Sequence, residues 1–468
     1  MKNTYGQSFI DDQAIFDLLE RGQTAAADKG RVRGILEKAA EARGLSLEEA
    51  GVLIQLTDPE LLAELYHVAG QVKESIYGHR LVLFAPLYLS DFCVNNCCYC
   101  GYQHNSPHKR RKLTIQEIAD ETQAILAMGH KRLALEQGEH PRQNPIEYVL
   151  EALEVIYAQR YNGSNIRRVN VNIAATTVEN YRRLKDAGIG TYVLFQETYH
   201  RDTYKKIHRG LKADFERQLF AMHRAMEGGV DDVGLGALFG LYNWRFDVLA
   251  MLTHAEVLER DMGVGPHTFS VPRVREAAGV DLEMFLDPVS DADFKKLVAV
   301  LRLTAPYAGM LLSTRESLEL RREVIAVGIS QISAGSRTGV GGYFVAPEGE
   351  DRQKPQFEVE DTRTPVEVIQ SLVDAGYWPS FCTACYRSGR TGDRFMKLAK
   401  SGQIQNVCGP NALLTFQEYL RDFGDARLKT SGEALIEKAL SEIDNARMRE
   451  VTAAKLQGIR QGAFDLRF

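Results

Sequence analysis

Between residues 81 and 334 the sequence alternates short apolar runs with amphipathic stretches eight times. Parallel strands need long crossovers, and β-rich runs separated by helical patterns mark such βα units. Strands are expected at residues 81–86, 132–137, 169–173, 191–196, 232–238, 268–271, 310–313 and 331–334. A Thr114-x-x-Glu117 capping box opens a helix to about residue 128. Further helices are expected at 146–158, up to Gly188, and at 215–227, 246–258, 293–303 and 316–327. Eight units over about 260 residues suit a closed (βα)8 barrel of the TIM type, so the fold class is α/β. An open doubly wound sheet is the alternative.

The flanks read differently. Residues 1–80 form a helical extension, with a Ser46-x-x-Glu49 capping box, a helix start at Asp58-Pro59, and Leu61, Leu62, Leu65 and Val68 at helical spacing. Beyond a glycine-rich stretch at 335–342, residues 347–364 are polar and aperiodic and read as a linker. Thr364-Pro365-x-Glu367 then caps a new helix, and residues 433–455 read as one charged, solvated helix. The expected organisation is an N-terminal helical extension (1–80), the barrel (81–345) and a mainly helical C-terminal cluster-binding domain (346–468).

Charge and hydropathy narrow the function classes. A net charge of −5 argues against a nucleic-acid binder. The longest apolar run is nine residues, 81–89, short of the roughly 18 of a membrane span. Residues 1–13 hold no apolar signal core, so a cytoplasmic protein is expected.

The seven cysteines fall in two groups, and their odd number argues against a disulfide framework. Cys93-x3-Cys97-x2-Cys100 directly follows the first strand, on the barrel face where active sites are built. Three thiolates on one short loop can bind three irons of a 4Fe-4S cluster and leave the fourth open to a small chelating ligand. Zinc completed by His104 is the alternative. Cys98 falls outside this spacing and reads as a spare buried thiol. Cys382-x2-Cys385-x22-Cys408 again offers three thiols, and no histidine follows His267, which favours a second open iron–sulfur cluster over zinc.

With Tyr99 before the last cysteine, the first loop resembles the radical S-adenosylmethionine (SAM) superfamily. The resemblance implies that SAM binds the open iron and is cleaved to a 5′-deoxyadenosyl radical. Gly138-Glu139, after strand two, resembles the superfamily's Gly-Glu motif near the SAM amino group. Glu197, at the end of strand four, is placed to hold the ribose hydroxyls, and Arg217 to pair with the SAM carboxylate.

The barrel combined with the C-terminal triad resembles the tyrosine lyases that mature FeFe-hydrogenase. That resemblance implies cleavage of the L-tyrosine Cα–Cβ bond to p-cresol and dehydroglycine, then formation of carbon monoxide and cyanide. These would collect on an additional iron at the second cluster, with His267 as its ligand. An electron donor such as a ferredoxin or flavodoxin, and hydrogenase maturation proteins receiving the iron–carbonyl–cyanide product, are the implied partners. His267 precedes strand six, at the end opposite the first loop, and neutral imidazole is a good iron ligand. Arg315 is the candidate for the substrate carboxylate, with Ser333 and Ser336 adding hydrogen bonds; pairing of Arg315 with Glu316 or Glu319 is the bland alternative. The segment Tyr199-His200…Tyr204…His208 is a candidate cap over the site. Competing readings are the tyrosine lyase of thiamine thiazole synthesis, which the C-terminal triad argues against, a non-catalytic iron–sulfur scaffold, and a zinc-dependent nucleic-acid module.

Overall fold

The structure, a computed structural model, describes residues 8–281, 285, 287–344 and 355–468. Its strands are β1 (Arg80–Ser90), β2 (Arg132–Gln137), β3 (Arg168–Asn172), β4 (Tyr192–Glu197), β5 (Val233–Ala237), β6 (Thr268–Ser270), β7 (Gly309–Leu312), β8 (Gln331–Ser333) and β9 (Trp378–Ser380). All eleven residues of β1 are buried, because a barrel strand is covered on both faces and so reads as a continuous apolar run. Each of β1 to β7 pairs parallel with its successor, and β8 pairs with β1, closing the eight-stranded barrel expected from the alternation.

The capping boxes at Ser46, Thr114 and Thr364 all form. The N-terminal helix Pro59–Tyr77 begins at the Asp58 cap and packs on the barrel helices Asp291–Thr304 and Leu318–Val327. Among the described residues no helix is long and apolar enough to cross a membrane.

Several expectations need correction. The helix read at 215–227 is two, Phe215–Leu219 and Ala221–Glu227, joined at Phe220. The helix read at 433–455 is also two, Ala426–Ser441 and Ala446–Arg460; the Asn445 side chain accepts from Met448 N–H and starts the second. The C-terminal region is mainly helical, as expected, and adds one strand. Its strand β9 extends the barrel sheet by pairing parallel with the first three residues of β1, Arg80 to Val82. Part of the linker read at 347–364 and the boundary placed at 345/346 lie outside the described residues.

Candidate active site and second cysteine cavity

The first cysteine loop is fixed to the C-terminal ends of the strands. Gly138 N–H donates to Ser90 O (2.9 Å), and Val94 N–H donates to Glu139 O (2.8 Å). Gly138 permits this approach, since a Cβ there would meet Phe92 O at 2.5 Å and Cys93 Cβ at 3.1 Å. Cys93, Cys97 and Cys100 are free thiols that line one cavity together with Tyr99, Gly138, Glu139 and Glu197. Burial pushes Cys100 up to about 11 and Cys97 further still. Thiols so desolvated become thiolates when a metal supplies the compensating charge.

Glu139 is held from two sides, by Arg217 Nη2 (2.5 Å) and Asn95 Nδ2 (2.6 Å). Asn95 is itself buried, and its Oδ1 accepts Lys212 N–H at 2.9 Å. The carboxylate is thus immobilised at the cavity wall. Glu197 follows a register shift at the end of β4 and takes a left-handed φ of 71°. Such bulges re-aim side chains near active sites, and here the carboxylate meets Lys212 Nζ at 2.6 Å. The following turn is anchored by the buried Asp247, whose Oδ1 accepts Tyr199 N–H (2.8 Å) and the Thr198 hydroxyl (3.0 Å).

Only the far end of the expected cap reaches the cysteine loop. His208 Nδ1 donates to Tyr204 O (2.9 Å), so its Nε2 accepts the Tyr99 hydroxyl at 2.8 Å. Tyr199 turns away to His254, and His200 stacks on Tyr242. Cys98 lines neither cavity. It is partly rather than fully buried, against Ile207, Leu238 and Leu241. His104 is exposed, with Nδ1 3.2 Å from Cys93 O.

Arg315, Ser333 and Ser336 line the first cavity as well. Arg315 does not pair with Glu316, which is engaged by Arg273 and Arg275; its guanidinium lies 3.3 Å from the Phe357 ring centroid. The hydroxyls of Ser270, Thr314, Ser333 and Ser336 and Gln137 Oε1 are buried on this wall without a hydrogen-bond partner. Buried polar groups are normally satisfied, so the wall is built for a polar ligand. Glu136 joins it, its carboxyl pushed up to about 8 by burial. The cavity is partly open to solvent.

The second cysteine set lines a smaller cavity at the N-terminal ends of the strands. Cys382 follows β9, Cys385 lies on the short helix Ala384–Arg387, and Cys408 lies in the first turn of Gln405–Phe423. A hydrogen bond between the Cys385 and Cys408 thiols lowers Cys408 to about 7 and raises Cys385. His267 faces the same space. Burial lowers its imidazole to about 4, so it is neutral, the form that binds metals, and its Nδ1 has no hydrogen-bond partner. Among the described residues no three His, Cys, Asp or Glu side chains converge on a single-ion position. A cubane offers separate irons to separate thiolates and does not require one.

The two cavities lie one above the other inside the barrel. Val82 and Phe84 on β1, Gly309 and Leu311 on β7, and Gln331 and Ser333 on β8 are pairs two residues apart, and therefore face the same side. In each pair the first residue lines the cysteine cavity at the bottom and the second lines the cavity at the top.

Sequence reasoning missed Lys212, Asn95, Glu136 and three buried arginines, Arg80, Arg132 and Arg168, which surround the second cysteine set. The arginines did carry a signal, for each is the first residue of its strand, β1, β2 and β3.

The Radical SAM superfamily pattern matches residues 87–250, and that of the Biotin and Thiamin Synthesis associated domain matches residues 270–378. The 2-iminoacetate synthase of Salmonella typhimurium is 32% identical over 355 residues, covering 75% of this chain and 90% of that protein. A crystal structure of HydG, a maturase of the FeFe-hydrogenase, superposes with a TM-score of 0.95 at 54% identity, covering 99% of this chain and 100% of that one. HydG from Carboxydothermus hydrogenoformans gives 0.80 at 39% identity, covering 96% and 100%. A closed barrel with the free thiols of Cys93, Cys97 and Cys100 on its first loop, matched end to end at this identity, places the chain among the enzymes of the radical SAM superfamily, in the branch that holds HydG.

Proposed function

We propose that this enzyme is a tyrosine lyase of FeFe-hydrogenase maturation. It cleaves the Cα–Cβ bond of L-tyrosine to p-cresol and dehydroglycine, and converts dehydroglycine to carbon monoxide and cyanide for H-cluster assembly. The observation that carries this reading is the pair of cysteine-lined cavities back to back in one barrel. The reading is supported by the HydG structures and, for the cleavage step, by the similarity to 2-iminoacetate synthase. The Cys382, Cys385 and Cys408 cavity favours it over that synthase's reaction alone.

Cys93, Cys97 and Cys100 would hold a 4Fe-4S cluster, and Cys382, Cys385 and Cys408 a second, with His267 on an additional iron. When bound, the first cluster and SAM supply a carbon-centred radical. The protein's own residues position and insulate. Glu139 accepts from the SAM ammonium, Arg217 orients that carboxylate, and Glu197 receives the ribose hydroxyls beside Tyr99. Arg315 grips the tyrosine carboxylate, and Ser333 and Ser336 donate their free hydroxyls to it. The apolar wall of Phe84, Leu194 and Leu311 excludes water from a radical that would attack most C–H bonds. Dehydroglycine is unstable in water, and a passage through the barrel to the lower cavity keeps it enclosed. The maturation proteins that take up the iron–carbonyl–cyanide product, and a ferredoxin or flavodoxin as donor, complete the reading.

The test is a Cys385→Ala variant assayed for both products. Retained p-cresol with lost carbon monoxide supports the two-site division; equal loss of both counts against it.

A further inference from the structure

Any electron that reaches the first cysteine set must enter from solvent. Asn96 N–H donates to Arg209 O (3.2 Å), and Cys98 N–H donates to Ile207 O (3.2 Å). The last turn of helix Arg201–Ile207 and the residues after it therefore form the outer cover of the loop, with His208 bonded to Tyr99 beneath.

This cover is basic. Residues 201–212 contain five Lys or Arg against one acidic residue, Asp202, in a chain of net charge −5. Two of the five are neutralised locally: Arg201 by Glu216 (2.5 Å) and Lys212 by Glu197 (2.6 Å). Lys205, Lys206 and Arg209 are exposed and enter no ion pair among the described residues. Arg209 Nη1 bonds the carbonyls of Lys205 (2.8 Å), Lys206 (3.1 Å) and His208 (2.8 Å), which fixes the turn. Leu211, 44% exposed, adds an apolar side chain to the segment. Lysines in a last helical turn also complement the helix dipole, but that role needs neither Arg209 nor an exposed leucine.

We propose that Lys205, Lys206, Arg209 and Leu211 form the docking surface for a small acidic one-electron carrier protein that reduces the first cluster. The inference rests on the functional reading above. In an enzyme of net negative charge, a locally basic patch attracts an acidic protein, and this one would steer the carrier to the cysteine loop. One electron leaves the carrier's reduced centre, which is oxidised by one unit, and enters the cluster held by Cys93, Cys97 and Cys100, which is reduced by one; no bond or proton is exchanged.

The test uses the full-length, cluster-loaded enzyme and its Lys205→Glu/Lys206→Glu variant, with an acidic flavodoxin as carrier. At low salt, flavodoxin binding measured calorimetrically is expected to weaken about tenfold or more, and the rate of cluster reduction by flavodoxin hydroquinone to fall in step. Both differences should vanish at about 0.5 M salt, where charges beyond a few ångströms are screened. Reduction by photoreduced 5-deazaflavin, a small neutral donor, should be unchanged. Unaltered flavodoxin binding and reduction would overturn the proposal, as would equal slowing with both donors. Absence of 5′-deoxyadenosine from the unmodified enzyme with either donor would overturn the functional reading, and this proposal with it.

Discussion

Lys212 Nζ lies 2.6 Å from Glu197 Oε1 beside the first cysteine loop, joining the end of β4 to the turn after the basic helix. Both side chains are largely buried, at 19% and 9% exposure, and burial works against the lysine's charge. Glu197, followed by Cys97, more than offsets that cost and holds the ammonium above its ordinary value. Removing one member of such a pair strands the other, at a cost of ~3–5 kcal/mol. Lys212→Met is expected to lower the melting temperature by several degrees. Lys212→Met/Glu197→Gln should recover much of the loss, because the uncompensated charge is gone. Additive losses in the double variant would show that the pair is not coupled.

Asp247 carries a pH signature. Burial pushes its carboxyl up to about 7 from 3.8. Between those values the folded protein holds a proton that the unfolded chain has released. Its contribution to stability is therefore greatest below about pH 4 and is lost as pH rises through about 7. The difference is at most ~4 kcal/mol, at about 1.4 kcal/mol per unit. Asp247→Asn keeps an acceptor for Tyr199 N–H and removes the titration. Denaturant melts at pH 5 and pH 8 should show a smaller drop for the variant than for the natural sequence; parallel profiles would refute this.

Gly138→Ala forces a methyl group against Phe92 O and Cys93 Cβ. Overpacking of this kind costs ~1–3 kcal/mol, and here the strain falls on the first cysteine loop. Iron and sulfide analysis after reconstitution is expected to show loss of about one cluster's share, with the C-terminal site still filled. Full loading of both sites would rule the mechanism out.

Arg217 fixes Glu139 through one Nη2 contact at 2.5 Å. Lysine cannot reproduce the planar fork that also reaches the carbonyls of Leu211 and Ala175. Arg217→Lys is expected to weaken SAM binding about tenfold, equivalent to ~1.4 kcal/mol, in calorimetric titration of the reconstituted enzyme. Unchanged affinity would remove Arg217 from the SAM site.

The barrel was legible because its strands are buried on both faces and its helices on one, so the two periodicities stand out in the chain. The capping boxes were legible because each is a local bond between residues three apart. Strand β9 was not. Trp378-Pro379-Ser380 is three residues long and contains proline, and pairing with the start of β1 is what makes it a strand. Arg80, Arg132 and Arg168 each look like a solvated charge at a strand end. Barrel closure brings them around one point beside the second cysteine set. Lys212 was hidden for the same reason: it lies fifteen residues from Glu197, and the loop path between them is not written in any periodicity. The cysteine spacings, by contrast, are local signals, and each triad lines a single cavity.

The central claim is that one barrel carries two separate clusters, with SAM at the upper one only. Electron paramagnetic resonance of the reduced, reconstituted enzyme with and without SAM tests it most directly. Two distinct cluster signals are expected, of which SAM shifts one; the Cys385→Ala variant should lose the signal that does not shift. A single signal in the unmodified protein, or two that both shift with SAM, would contradict the account.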